Sequence, residues 1–199
     1  GVLILDFTIR TMKMQNRIPN NGFVVSTIVT SPLVSKLAKK NGLTSIEVLT
    51  GFKWVRKATL DFEREMGGIF IFGMEESHGF LMGNHSGDKD GIWASMAFAE
   101  MTAALKENQL TPIERLNQIY EEYGRHLDAL FTKIYKGTNG IAKINEIMSS
   151  IRKTPPKKIG GQEVVKIIDY LEKKTIFENK TLKGPELPKS NVISFYLSD

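Results

Sequence analysis

The sequence predicts an α/β protein, in which strands and helices alternate in a first domain and a smaller α+β domain follows. Short apolar segments alternate with segments of helical periodicity in the first part of the 199-residue chain, two longer helical segments follow, and strand-like segments return near the end. Such alternation is typical of helices packed on the faces of a sheet. The second long helix ends at Gly124 and the charge balance changes there, so we predict domains 1–125 and 126–199.

Apolar spacing and turn residues give the elements of the first domain. The predicted helices cover residues 3–14, 32–40, 52–65, 91–105 and 112–123, and the predicted strands cover residues 23–28, 45–49 and 69–72. The helix that begins at Gly91 is apolar on almost every side, so we expect it to be buried. Thr111-Pro112-Ile113-Glu114 has the composition of a capping box at the start of the last helix.

The second domain has a weaker pattern. The predicted strands cover residues 130–135, 164–170 and 192–197, and the predicted helix covers residues 139–151. We predict a loop for residues 175–190, because this segment contains Lys, Asn, Gly and Pro. No strand follows the last one to pair with it. We therefore expect an open sheet edge, with reduced stability or pairing between two copies of the chain.

Composition excludes several classes of protein. The chain has 41% hydrophobic residues and no apolar run long enough for a membrane span, so we expect no membrane association. It contains no cysteine, which excludes disulfides and thiolate metal sites. The first residues lack the pattern of a signal peptide, and cytoplasm is the default location.

The net charge of +5 comes entirely from the last third of the chain. Residues 1–125 contain 14 basic and 14 acidic side chains, whereas residues 126–199 contain 13 and 8. Because these lysines are interspersed with acids, they favour a solvated surface over a nucleic-acid-binding face. Binding of a small anionic molecule to these basic residues is a further alternative.

The richest polar segment is Gly73-Met74-Glu75-Glu76-Ser77-His78-Gly79, directly after the apolar strand 69–72. In an extended backbone Glu75 and Ser77 would point to one side and Glu76 to the other. A carboxylate beside a hydroxyl suits the hydrogen bonding of sugar hydroxyls, although a solvated turn explains the composition equally well. A serine hydrolase is disfavoured, because Glu75 occupies the position where its nucleophile motif has glycine. The three histidines have no metal-ligand spacing.

The loop and its surroundings resemble one family, the α-D-phosphohexomutases, which comprises phosphoglucomutase and phosphomannomutase. Thr50-Gly51-Phe52-Lys53, Asp88-Lys89-Asp90-Gly91 and the segment 27–31 are similar to three further segments of the family's third domain, in the same order. The segments 155–161 and 187–192 resemble the start of its fourth domain. The resemblance therefore covers nearly the whole chain, and it implies a three-layer α/β domain with a mixed sheet that is followed by a partial α+β domain.

The resemblance implies site residues. Glu75 and Ser77 would hold the hydroxyls on carbons 3 and 4 of a hexose, and Lys53 and Lys89 would contact its phosphate. Gly87 occupies a position where relatives often have arginine, so one expected cation is absent. Further candidate contacts are Gly51, His78 and the backbone of Thr30 and Ser31.

The resemblance also implies parts that this sequence does not contain: a phosphorylated serine, an Asp-x-Asp-x-Asp loop for Mg²⁺, and a late phosphate-binding loop. We expect the chain to be an inactive fragment whose partners are the remaining domains of an enzyme. That enzyme would interconvert hexose 1-phosphate and hexose 6-phosphate through phosphoserine and a hexose 1,6-bisphosphate. Phosphopentomutase, phosphoglucosamine mutase and a non-enzymatic sugar-phosphate-binding module are the alternatives.

Overall fold

The computed structural model describes residues 1–137, 139–178 and 180–198. Thr138, Asn179 and Asp199 lie outside the described residues, and Asn179 falls within the segment predicted as a loop. The chain forms two compact units, Gly1–Asp128 and Ala129–Asp199. This division falls three residues after the boundary predicted from the sequence.

The first unit alternates helices and strands before ending in two helices. Its elements are α1 (Val2–Met14), β1 (Gly22–Thr27), α2 (Leu33–Lys40), β2 (Thr44–Val48), α3 (Phe52–Met66), β3 (Ile69–Met74), β4 (Phe80–Met82), α4 (Gly91–Glu107) and α5 (Pro112–Tyr123). The strands have the order β2-β1-β3-β4. Strand β1 is parallel to β2 and β3, whereas β4 is antiparallel to β3, so the sheet is mixed as predicted.

Each face of this sheet has its own hydrophobic core, because side chains alternate along β1. Phe23 and Val25 pack on the α3 side with Val55. Val24 packs on the opposite side, with Leu5 of α1 and with residues of α2, α4 and α5. Two helical layers thus enclose the sheet, which confirms the predicted three-layer class.

Close packing fixes α3 against β3, the strand that leads into the polar loop. A Cβ atom at Gly73 of β3 would lie 2.8 Å from Cγ1 of Val55 on α3. Only a residue without a side chain allows the helix to approach this closely. Helix α3 is therefore held directly beside the strand that presents the candidate site.

The prediction that α4 is buried on all sides is wrong. Ala94, Ala97 and Met101 form a buried stripe, but Ile92 and Met96 are 79% and 65% exposed. A single stripe at three- and four-residue spacing is what one helical face can bury against its neighbours. Apolar composition alone does not reveal which side of the helix that is.

The capping box predicted at the start of α5 is confirmed. The Thr111 hydroxyl accepts from the backbone N–H of Glu114 at 3.2 Å, and the Glu114 carboxylate accepts from the backbone N–H of Thr111 at 2.7 Å. Both contacts satisfy backbone donors that a helix start leaves without intrahelical partners.

The second unit is a helix followed by small antiparallel strands. Its elements are α6 (Gly140–Lys153), β5 (Lys158–Ile159), β6 (Gln162–Asp169), β7 (Lys174–Phe177), β8 (Lys180–Lys183) and β9 (Ile193–Leu197). Strand β6 pairs with β5, β7 and β9, and β7 pairs with β8. The expected association through an open sheet edge stays a prediction.

Two predictions for this unit are wrong. Residues 130–135 form no strand, and Phe131 is 95% exposed, because no neighbouring strand pairs with this apolar run. The predicted loop 175–190 contains most of β7 and all of β8, which form a hairpin. Pairing with β6 stabilises this lysine-rich hairpin, and such a nonlocal partner leaves no trace in local composition.

None of the helices in the described ranges is both long enough and apolar enough to cross a membrane.

Candidate functional site

The polar loop is a tight connection between two antiparallel strands. The backbone N–H of Glu75 donates to the carbonyl of Gly79 at 3.0 Å, and His78 adopts a left-handed conformation with φ of +64°. The pairing of β3 with β4 forces this reversal, so the extended alternation predicted for Glu75 and Ser77 is wrong. Burial, and not alternation, separates the residues of this loop.

Glu75 is a buried polar residue of the loop, with 3% of its surface exposed. Its Oε1 accepts a hydrogen bond from Lys89 Nζ at 2.8 Å, and the Lys89 side chain is 51% exposed. The hydrogen bond to Glu75, followed by the charge of that carboxylate, raises the pKa of Lys89. The fold therefore brings two residues predicted for the site into one ion pair.

Gly79 leaves the space that the Glu75 carboxylate occupies. A Cβ atom at residue 79 would lie 2.6 Å from Glu75 Oε1 and 2.8 Å from its Cγ. Any other residue at position 79 would displace the Glu75 side chain. The two glycines that bracket the loop thus have separate roles: Gly73 admits helix α3, and Gly79 admits the carboxylate.

Glu76 takes part in a hydrogen-bonded cluster that sequence reasoning missed. Its Oε2 accepts from the Thr27 hydroxyl at 2.7 Å, and the Thr27 and Thr30 hydroxyls lie 2.9 Å apart. Thr27 is the last residue of β1, which is next to β3 in the sheet. Adjacent parallel strands place their carboxyl ends at the same edge of a sheet. This rule could have predicted from the sequence that Thr27 and Glu76 lie close together.

A cleft of about 330 Å³ lies at this edge of the sheet. Four of the predicted residues line it together with Glu76 and a face of α5. These four are Thr30, Ser31, Glu75 and His78. The hydroxyl of Ser31 is buried without a hydrogen-bond partner among the described residues. Ser77 lies on the exposed tip of the loop, where no described residue hydrogen-bonds its hydroxyl.

Two predicted basic residues lie beside the first turn of α3. Gly51 precedes this helix with φ of +111°, a conformation that favours glycine. Lys53 is exposed and its Nζ lies 5.1 Å from the centre of the Trp54 ring. Lys89 Nζ lies 5.9 Å from the centre of the Phe52 ring. Both predicted phosphate contacts are therefore close to the first turn of α3.

The segment around Lys89 is fixed by the start of α4. Asp90 accepts from the backbone N–H of Trp93 at 2.9 Å, and its other oxygen lies 3.0 Å from His85 Nε2. The hydrogen bond from the Trp93 backbone, followed by that from His85, lowers the pKa of Asp90. This anchored aspartate holds the adjacent Lys89 near Glu75.

These acids do not fit a magnesium site. Asp90 caps α4, and Asp88 accepts from the backbone N–H of Lys89 at 2.7 Å. The part of the chain that the structure describes contains no group of three or more His, Cys, Asp or Glu side chains that could hold a metal ion.

The first unit is thus an α/β/α domain with a polar cleft and cations at one edge of its sheet. Residues 4–123 match the family described as phosphoglucomutase/phosphomannomutase, alpha/beta/alpha domain III. This match covers more than half of the chain. The chain therefore belongs to the phosphoglucomutase/phosphomannomutase family.

Curated relatives extend the similarity into the second unit. The chain is 36% identical over 195 residues to a phosphoglucomutase of Staphylococcus aureus (strain USA300), covering 97% of this chain and 34% of that protein. It is 31% identical over 194 residues to a phosphoglucomutase of Staphylococcus haemolyticus (strain JCSC1435), with the same coverage of 97% and 34%. The chain thus spans about a third of the length of these relatives.

Proposed function

We propose that this chain is the sugar-recognising part of a mutase that interconverts hexose 1-phosphate and hexose 6-phosphate. Membership of the phosphoglucomutase/phosphomannomutase family supports the class of reaction. The observation that carries the proposal is the buried carboxylate of Glu75, which lines the cleft and is held in place by Lys89. A fixed anionic acceptor in a polar cleft suits a ligand rich in hydroxyl groups.

Glu75 and Ser77 bind the hydroxyls on carbons 3 and 4 of the sugar. The described residues occupy one Glu75 oxygen, through Lys89, and leave the other for a ligand hydroxyl. The Ser77 hydroxyl can both donate and accept. Hydrogen bonds to a charged group are stronger than neutral ones, so Glu75 contributes more to binding than Ser77.

Contact with the middle of the ring has a mechanical reason. The reaction passes through phosphoserine and a hexose 1,6-bisphosphate, which turns over so that each phosphate in turn meets the serine. A site that grips carbons 3 and 4 serves both orientations. The chain thereby contributes positioning, which is a large part of catalysis in phosphoryl transfer.

Lys53 and Lys89 provide positive charge for the phosphate, and the backbone of Thr30 and Ser31 lies in the same cleft as Glu75. Lysine meets phosphate as a mobile point charge. The phosphoserine and the Mg²⁺ loop belong to the remaining domains, which are the partners of this chain. The fragment alone is inactive in this proposal.

The proposed contacts do not select between glucose and mannose. These sugars differ at carbon 2 and share the configuration of carbons 3 and 4. The loop therefore accepts both, and we expect any preference to arise from groups outside it. Parallel assays of the full-length enzyme with glucose 1-phosphate and mannose 1-phosphate measure that preference.

Substitution of the loop in the full-length enzyme tests the proposal. We expect Glu75→Gln to lower kcat/KM for hexose 1-phosphate by about 10- to 100-fold, because a neutral acceptor replaces a charged one that also pairs with Lys89. We expect Ser77→Ala to lower it by about tenfold, because this change removes one hydrogen bond to the sugar. Glu65→Gln and Ser95→Ala are the matched controls, since both residues are exposed and Ser95 bonds within its own helix. Turnover unchanged in both loop variants contradicts the proposal.

A further inference from the structure

Arg56 of α3 has a buried donor atom without a partner. Its Nη1 atom is enclosed and makes no hydrogen bond, and Arg56 forms no ion pair with any residue that the structure describes. A charged donor removed from water without replacement is unfavourable. Such a group in a native fold calls for an explanation, and a bound anion is one.

Arg56 lies beside the two lysines already assigned to the phosphate. Lys53 precedes it by three positions and Phe52 by four, so all three share one side of α3. The ring of Phe52 is the one that Lys89 Nζ approaches to 5.9 Å. The first turn of α3 therefore lies beside Lys89, and Arg56 follows Phe52 by one turn on the same side of the helix.

The absence of a side chain at Gly87 leaves the Arg56 guanidinium open toward that segment. A Cβ atom at residue 87 would meet Arg56 Nε at 3.9 Å, an ordinary contact distance, and it would meet no other atom within 4 Å. A side chain built at position 87 would begin beside the Arg56 guanidinium. Side chains at positions 87 and 56 can therefore reach the same space.

The acidic residues Glu75 and Asp88, which flank Lys89 in the structure, already have hydrogen-bond partners. Glu75 accepts from Lys89 Nζ, and Asp88 accepts from the backbone N–H of Lys89. Neither forms an ion pair with Arg56 among the described contacts. Lys89 is therefore balanced by a protein carboxylate, whereas the described contacts pair neither Lys53 nor Arg56 with one, and of these two Arg56 has the enclosed donor atom.

We propose that Arg56 binds a phosphate group of the substrate, supplying from α3 the cation that Gly87 does not supply. The inference rests on the proposed function, because it takes a phosphorylated sugar as the ligand. Guanidinium matches phosphate with two parallel N–H donors and adds geometry to the point charges of Lys53 and Lys89. The guanidinium donates to the phosphate through Nε and Nη2, which are not among the enclosed unbonded atoms.

Kinetics of the full-length enzyme test this role. We expect Arg56→Gln to raise KM for hexose 1-phosphate about tenfold or more, and to raise the inhibition constant of inorganic phosphate by a similar factor. Lys57→Gln is the matched control, because Lys57 is the next residue of α3 but is exposed and paired with Asp61 at 2.6 Å. We expect that variant to keep both constants unchanged.

A second substitution separates phosphate binding from packing. We expect Gly87→Arg to restore most of the affinity in the Arg56→Gln background, because it returns a guanidinium to the same space from the other side. Arg56→Gln with unchanged constants overturns the proposal. Loss of affinity that Gly87→Arg does not restore, together with a lowered thermal midpoint, also overturns it and assigns Arg56 to packing.

Direct binding keeps this inference separate from the proposed reaction. Titration of the full-length protein with glucose 1-phosphate, followed by ³¹P NMR line broadening, reports phosphate contact without turnover. Broadening in the wild type that is lost in Arg56→Gln supports the role of Arg56 even if no mutase activity is found. Equal broadening in both proteins, or none in either, contradicts it.

Discussion

The two parts of the β3–β4 loop differ in how firmly the protein holds them. The buried arm consists of Glu75 and Gly79, and the exposed tip consists of Ser77 and His78. Glu76 is exposed as well, but the Thr27 hydroxyl holds it at 2.7 Å. On the arm, Lys89 and the bare backbone of Gly79 fix the carboxylate before any ligand arrives. On the tip, Ser77 is exposed and its hydroxyl has no bond to a described residue.

This difference separates positioning from adaptability. A buried carboxylate that is already oriented loses little entropy when it meets a sugar hydroxyl, so it can set the position of the ring. An exposed serine is free to follow the hydroxyl as the sugar changes orientation. Substitutions in the arm should therefore affect both folding and binding, whereas substitutions at the tip should affect binding alone.

The largest effect on stability is expected from Lys89→Met, which removes the partner of the arm. A buried polar group that loses its partner costs about 1–3 kcal/mol, and Glu75 would then be such a group. Urea unfolding of the full-length protein measures the loss. Lys57→Met is the control, since its partner Asp61 is more exposed, and equal midpoints for the two variants would show that the arm is not held by its ion pair.

A much smaller effect on stability is expected from Ser77→Ala at the tip. Surface substitutions away from buried networks usually change the free energy of unfolding by less than about 0.5 kcal/mol. The same urea titration checks this value, and the catalytic loss expected for this variant should appear without it. A destabilisation as large as that of Lys89→Met would remove the distinction between arm and tip.

The smallest effect concerns the titration of Lys89. Because its folded-state pKa is raised by Glu75, its contribution to stability is complete below the ordinary value of 10.5 and is lost as the pH rises through the folded value. We expect the ¹³Cε resonance of Lys89 to titrate above that ordinary value in the wild type and close to it in Glu75→Gln. The same midpoint in both proteins would mean that the ion pair is absent in solution.

The sequence predicted those features that depend on neighbours along the chain. The capping box at Thr111 and the apolar strand β3 both follow from short local patterns. The α/β class followed from the alternation of these elements, and the mixed sheet followed from the resemblance to the family. Local chemistry was therefore sufficient for the class of fold and for the identity of the polar loop.

Features that depend on distant partners could not be predicted. Glu75 is buried because Lys89 and Gly79 meet it after β4 folds back, which strand alternation cannot anticipate. The β7–β8 hairpin needs β6 as its neighbour. Arg56 gave a weak signal, since it follows Lys53 by three positions on a predicted helix, but its unpartnered nitrogen is visible only in three dimensions.

The central claim is that the β3–β4 loop binds the hydroxyls on carbons 3 and 4 of a hexose phosphate. The most direct test is a double-substitution cycle in the full-length enzyme, which combines Glu75→Gln and Ser77→Ala with glucose 1-phosphate and its 3-deoxy and 4-deoxy analogues. Removing a hydroxyl that the loop binds should cost the wild type about tenfold or more in kcat/KM, and should cost the matching variant much less, because the contact is already gone. The claim would be contradicted if the loss of kcat/KM from each substitution and the loss from each missing hydroxyl were independent, so that the two factors multiply in every combination.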